Sequence, residues 1–140
     1  FHNAQILAVH VVPRPEMPRR TPLAQEDIDL ADQITERNRL AAVKYMDELK
    51  ERSELPLDTR IKVSDNAART LHEAVEDNQA DLVILSAHGY SGETKWRYGR
   101  TVVSFINYGA QPLLVYQDLP AESIQPTRAE MAAEEHGGRS

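Results

Sequence analysis

The chain has no cysteine, a deficit of positive charge and no long hydrophobic run, and each absence excludes a class of protein. Without cysteine among its 140 residues, it can form no disulfide, no thiolate nucleophile and no cysteine-ligated zinc site. No stretch approaches the roughly 18 consecutive apolar residues that a membrane-spanning helix needs. With 16 Lys and Arg against 22 Asp and Glu, the net charge is −6, which offers no basic surface to nucleic acid or to an anionic membrane. We therefore expect a soluble, cytoplasmic protein with neither partner.

Several catalytic signatures are also missing from the sequence. There is no Gly-x4-Gly-Lys-Ser/Thr phosphate loop and no His-x-Gly-His motif, so the usual nucleotide-hydrolysing and adenylating signatures are absent. No Gly-x-Ser-x-Gly elbow surrounds Ser91, which argues against a nucleophilic serine. The histidines have no metal-type spacing with carboxylates, so we expect no metal site. We therefore expect no catalytic residue.

The residues that are present alternate between strand and helix patterns. Apolar or alternating runs predict four strands, and apolar residues at helical spacing predict helices between them. A helix-start signal lies at Thr21 and Pro22, Pro56 ends that helix, and Asp65 or Asn66 can cap the next one. The strands are predicted at 5–12, 59–63, 81–85 and 112–116, and a short third helix at 100–108. This alternation predicts an α/β fold, an open parallel sheet with helices on both faces.

Two of these segments carry specific expectations about burial. The β-branched run 5–12 predicts a strand buried on both faces, with His10 as a core residue. The long helix carries an apolar stripe that should face the core. Its members are Leu23, Leu30, Ile34, Ala41, Tyr45 and Leu49, broadened by Ala42 and Met46.

The stretch "LVILSAHGYSGETKWRYGRT" is the strongest functional signal. The buried strand 81–85 delivers Ser86, His88 and Gly89 to the carboxyl edge of the predicted sheet, where open α/β sheets bind ligands. Gly99 lies where the next helix begins, so backbone N–H groups and the helix dipole can face an anion such as phosphate. An equally simple interpretation makes Gly89 and Gly92 plain turn residues.

The same residues resemble the end of a universal stress protein domain. The resemblance covers about residues 4 to 118 and rests on "DLVILSAHG", then "GRT", then "QPLLVYQ". Nucleotide-binding members of that family carry Gly-x2-Gly-x9-Gly-Ser/Thr. Here Gly89 and Gly99 match with all nine spacer residues, whereas Ser86 replaces the first glycine and Arg100 replaces the small hydroxyl residue, with Thr101 following.

The resemblance implies an ATP site, with Mg²⁺ as an optional companion ion. Val11, after the histidine of "AVHVV", would line the adenine pocket, and the other residues would hold the ribose and phosphates. Those residues are Leu85, Ser86, His88, Gly89, Gly99, Arg100 and Thr101.

The resemblance also implies the arrangement of the strands. The family sheet is Rossmann-like with strand order 3-2-1-4-5, and nothing in this sequence corresponds to strand 1 or to its aspartate-bearing turn. Because the chain begins at Phe1, in what reads as the tail of a helix running into a strand, we expect a fragment of a longer protein; the alternative is that another chain supplies the missing strand. Residues 1–118 would form the domain without its first strand and helix. Residues 119–140 would be a linker or extension, with a short helix at 128–135 begun by a Thr127–Glu130 capping box.

Two functions follow as expectations. The first is a stress-response module that binds ATP and acts through dimerisation, with strand 112–117 pairing between two copies or between tandem domains. The alternative is a dimeric regulatory or scaffold domain of the same family, in which Ser86 and Arg100 mark a site that no longer binds nucleotide.

Overall fold

The structure is a computed structural model that describes residues 3–17, 22–88, 97–123, 126 and 128–137. The chain divides into two compact units, Phe1–Ala74 and Val75–Ser140. Each unit contains one pair of parallel strands.

The first unit is built on two parallel strands joined through a long helix. Strand β1 (Ile6–Val12) lies beside strand β2 (Leu57–Val63), with Ile6 opposite Leu57 and Val12 opposite Val63. Helix α1 (Gln25–Arg52) connects them and contacts both strands. Helix α2 (Ala67–Asp77) follows β2. As predicted, an asparagine caps α2, because Asn66 Oδ1 accepts from the Arg69 N–H at 3.0 Å.

Helix α1 begins later than the sequence signal indicated. Its N-cap is Ala24 in an extended conformation, so Pro22 precedes the helix, and Thr21 lies outside the described residues. The fixed φ of proline suits an extended segment as well as a first helical turn, which is why this signal was ambiguous. The helix is nevertheless charged as its dipole favours, with acidic residues in the first turn and basic residues in the last.

The prediction of the α1 core stripe was wrong in its main members. Leu30 and Tyr45 are more than half exposed, and the buried positions are Ala42 and Met46. Ala42 and Met46 are four positions apart and so lie on one face of α1, which is offset from the predicted stripe. The expectation for β1 was also wrong, because Val12 is its only buried residue and His10 is exposed. The centroids of the His10 and Tyr45 rings are 6.4 Å apart. Within the described residues β1 has a strand neighbour on one edge only.

The second unit repeats this design on a smaller scale. Strand β3 (Val83–Ser86) lies parallel to strand β4 (Leu113–Tyr116), and helix α3 (Arg100–Tyr108) connects them. The predicted bounds of α3 are confirmed. The apolar core of the second unit includes Val83, Ala87, Val102 and Phe105.

The parallel α/β fold is therefore confirmed. In the part of the chain that the structure describes, β1 pairs with β2 and β3 pairs with β4. These two pairings are the neighbours 3-2 and 4-5 of the expected strand order. The central strand of that order stays a prediction.

The segment after β4 contains a short 3₁₀ helix (Ala121–Ser123) and a last helix, α4 (Arg128–Gly137). The predicted helix at 128–135 is confirmed and is slightly longer. Thr127 of the predicted capping box lies outside the described residues.

Candidate functional site

The end of β3 and the beginning of α3 are held together by one backbone hydrogen bond. Gly99, the N-cap of α3, donates its N–H to the Ala87 carbonyl at 2.7 Å. Ser86 ends β3, and the buried residues Ala87 and His88 follow it. Three of the predicted site residues, Ser86, His88 and Gly99, therefore lie around this bond.

Gly99 is suited to this close approach because it has no side chain. A Cβ atom at this position would lie 3.3 Å from the Ala87 carbonyl oxygen and 3.8 Å from the His88 Cα. The backbone is extended there, with φ −73° and ψ 167°, so the requirement is space rather than an unusual dihedral angle. A side chain at this position would require the Ala87 carbonyl to shift by a few tenths of an ångström.

The N-terminus of α3 carries positive charge without an acidic partner of its own. Gly99 provides no side-chain cap, and the first turn contains no acidic residue. The first N–H groups of a helix have no acceptor inside that helix, and the helix dipole adds partial positive charge at this end. Exposed Arg100 is the first helical residue. Such an arrangement can bind an anion.

Ser86 uses its hydroxyl proton inside the turn. Its Oγ donates to the His88 carbonyl at 2.7 Å. A serine hydroxyl has one proton to donate. In this conformation Ser86 can therefore offer a ligand only acceptor lone pairs.

His88 is bonded to a carboxylate that the sequence interpretation did not include. Its Nδ1 lies 2.9 Å from Asp118 Oδ1, and its side chain is 3% exposed. The hydrogen bond with His88 lowers the pKa of Asp118 below its ordinary value. Because an ionised carboxylate can only accept, Nδ1 carries the proton, and the ring is held in that orientation. Asp118 follows β4, so the rule that functional residues collect at the carboxyl ends of strands could have identified it.

Arg97 forms a second group of contacts close to Gly99. Its Nη2 lies 2.7 Å from Glu130 Oε1 on α4, and its carbonyl accepts from Gln117 Nε2 at 3.2 Å. No local sequence pattern connects residues so far apart in the chain.

The remaining predicted site residues divide into three groups. Leu85 in β3 and Thr101 in α3 are half-buried beside the site elements. Gly89 lies outside the described residues. Val11 belongs to the first unit, where it is half-buried opposite Lys62, so its role in an adenine pocket stays a prediction.

The first unit has a polar cavity of its own at the carboxyl ends of β1 and β2. The cavity measures about 300 Å³, and its lining includes Arg14, Asp65 and Arg69. Arg14 Nη1 lies 3.6 Å from Asp65 Oδ2, and both side chains are mostly exposed. The sequence analysis did not predict this cavity, although the carboxyl-end rule points to the same edge.

The described residues contain no group of three or more His, Cys, Asp or Glu side chains that could hold a metal ion. None of their helices combines the length and the apolar character that crossing a membrane requires.

Comparison with protein-family models matches residues 2–117 to the universal stress protein family. The comparisons with curated proteins and with solved structures found no match.

Proposed function

The chain belongs to the universal stress protein family, and from that premise we propose that this stress-response domain binds ATP, with the polyphosphate at the end of β3 and the start of α3. The proposal concerns binding rather than turnover, with any hydrolysis slow and incidental. The sequence carries Gly89 and Gly99 at the family spacing. Of these two glycines, Gly99 lies within the described residues.

The observation that carries the proposal is the uncapped N-terminus of α3 beside the end of β3. Gly99 donates to Ala87, and within the described part of the chain the N–H groups that follow it have neither an intrahelical acceptor nor a side-chain cap. Phosphate oxygens are suitable acceptors for such groups, because they are anionic and carry several lone pairs.

Arg100 supports the same interpretation through its charge. A cation at the first position of a helix is disfavoured by the dipole unless an anion compensates it. The chain carries a net charge of −6, so this local positive end contrasts with the overall charge. Arg100 would contact a phosphate oxygen in place of the small hydroxyl residue of the family motif, with Thr101 beside it.

A second candidate is the dimeric regulatory or scaffold domain without nucleotide. The observation that favours it is Ser86, which replaces the first glycine of the family motif and donates its hydroxyl proton to the His88 carbonyl. In both candidates the proposed partner is a second copy, or a tandem domain, paired along β4.

Calorimetric titration of the full-length protein with ATP tests the proposal. We expect saturable binding that Arg100→Ser weakens by about five- to tenfold, because a charge-assisted contact contributes on the order of 1 kcal/mol or more. Arg37→Ser is the matched control, since Arg37 is exposed on α1, and it should bind ATP like wild type.

Two results would contradict this account. Absence of heat and of saturation at millimolar ATP would reject nucleotide binding and leave the scaffold function. Tighter binding by Arg100→Ser than by wild type would make Arg100 an obstruction rather than a ligand.

A further inference from the structure

The segment after β4 contacts the residues on both sides of the stretch 89–96. Before that stretch, His88 Nδ1 lies 2.9 Å from Asp118 Oδ1. After it, the Arg97 carbonyl accepts from Gln117 Nε2, and the Arg97 guanidinium contacts Glu130 on α4. The chain therefore returns from β4 to the residues that border the glycine-containing stretch.

The Arg97 guanidinium is only partly satisfied by these contacts. Its Nη2 lies 2.7 Å from Glu130 Oε1. Its Nε is buried and has no hydrogen-bond partner in the described part of the chain. A buried donor without an acceptor is unfavourable, so Arg97 is not in its best-bonded arrangement when Glu130 occupies it.

We propose that Arg97 is an anion-binding residue of the nucleotide site, and that Glu130 occupies it as an internal competitor. Helix α4 is then an autoinhibitory strap that the polyphosphate displaces. This inference rests on the proposed function and extends it to regulation of the same site.

The position and chemistry of Arg97 support this assignment. Arg97 lies two positions before Gly99, the N-cap of α3, and is therefore close along the chain to the proposed polyphosphate position. Its planar guanidinium can donate from Nε and from Nη2 in parallel. A polyphosphate presents several oxygens and can accept both bonds, whereas Glu130 contacts Nη2.

The pair is also weak enough to be displaced. The Arg97 and Glu130 side chains are each 41% exposed, and partly solvated ion pairs add little to stability. An anion that binds both Arg97 and the α3 N-terminus would compete successfully against a single carboxylate. Release of α4 would be the structural consequence of binding.

Two substitutions separate a ligand role of Arg97 from a purely structural one. Arg97→Gln removes the guanidinium and Glu130→Gln removes the carboxylate charge, so both weaken the contact to α4, and both should speed amide hydrogen exchange in residues 128–137. Their effects on ATP affinity should be opposite. Glu130→Gln should tighten ATP binding by about two- to fivefold, by removing a competitor of the strength expected for such a pair, and Arg97→Gln should weaken binding by at least as much.

Glu122→Gln is the matched control, because Glu122 is exposed in the same segment and the substitution changes the charge equally. It should alter neither α4 exchange nor ATP affinity, apart from the small effect of one distant charge. In the wild type, saturating ATP should speed exchange in α4.

The outcomes distinguish this inference from the proposed function. If the wild type binds ATP but Glu130→Gln binds no more tightly than Glu122→Gln, or if ATP leaves α4 exchange unchanged, the strap is rejected and ATP binding stands. If Arg97→Gln binds ATP as tightly as Glu130→Gln, Arg97 only anchors α4 and is not a ligand. If neither the wild type nor any variant binds ATP, the proposed function fails, and this inference fails with it.

Discussion

At the residue scale, the contact between His88 and Asp118 determines the chemical state of both groups. Asp118 is ionised and accepts, so the His88 ring keeps its proton on Nδ1 and its orientation is fixed. A histidine held in this way acts as a structural support at the end of β3. Because Ser86 donates to the His88 carbonyl, the same residue is held through its backbone as well.

Asp118→Asn should lower the free energy of unfolding in a pH-dependent way. The hydrogen bond with His88 lowers the pKa of Asp118 in the folded state, so its stabilising contribution is fully present above the unfolded pKa, about 4 for aspartic acid. That contribution is lost as the pH falls through the folded pKa. Asparagine keeps an acceptor but loses the charge.

Urea unfolding at a series of pH values measures this effect. The stability difference between wild type and Asp118→Asn should be largest above pH of about 5 and should shrink at lower pH. Asp81→Asn, which changes an exposed carboxylate of the same unit, should not reproduce that pH dependence. A difference that stays constant from neutral pH into the acid range would show that the ionised carboxylate contributes nothing through His88.

At the scale of single elements, β4 pairs along one edge only with the strands that the structure describes. The carbonyls of Pro112 and Tyr116 accept from the N–H groups of Val83, at the start of β3, and of Ala87, just after its end. Because alternate residues of a strand direct their backbone groups to opposite edges, the Val115 N–H faces away from β3. The described strands provide no second neighbour for β4. Such an edge tends to pair with another strand.

Val115→Pro should therefore convert a dimer into monomers without disturbing the β3–β4 pair. Proline deletes a donor on the outer edge only, and Val115→Ala keeps that donor and should remain dimeric. A chain that ends at Pro120 lacks α4 and should also remain dimeric by light scattering. If that truncated chain is monomeric at every accessible concentration, the strand-paired dimer is rejected.

The bounds of the elements show which features local sequence encodes. Helix α3 was predicted residue for residue, because Gly99 and Gly109 border an apolar pattern of the right length. The start of α1 was missed, because Pro22 suits both an extended and a helical backbone. The contacts of Asp118 and Glu130 could not be predicted from periodicity, since they depend on how the chain returns from β4. The carboxyl-end rule points to the region of the site and to Asp118 after β4, but not to Glu130 on α4.

At the scale of the whole molecule, positively charged residues lie near the start of α3 in a chain whose net charge is negative. The chain is acidic, with a net charge of −6, yet the residues around the start of α3 include Arg97 and Arg100. An acidic surface disfavours non-specific binding of polyanions. On the proposed function, the helix dipole and these arginines would together attract a nucleotide to the carboxyl end of β3.

Residue-resolved amide hydrogen exchange of the full-length protein, measured with and without saturating ATP, tests the central claim most directly. The first N–H groups of α3, at Arg100 and Thr101, should exchange rapidly in the free protein and more slowly with ATP, because phosphate oxygens accept them. Helix α1 provides the internal control, since its N-cap Ala24 also has no side-chain cap, and exchange at Gln25 and Glu26 should not change. Slower exchange at the start of α3, with no change at the start of α1, is the result that this account predicts. Unchanged exchange there under ATP saturation, or slowing confined to another helix, would contradict it.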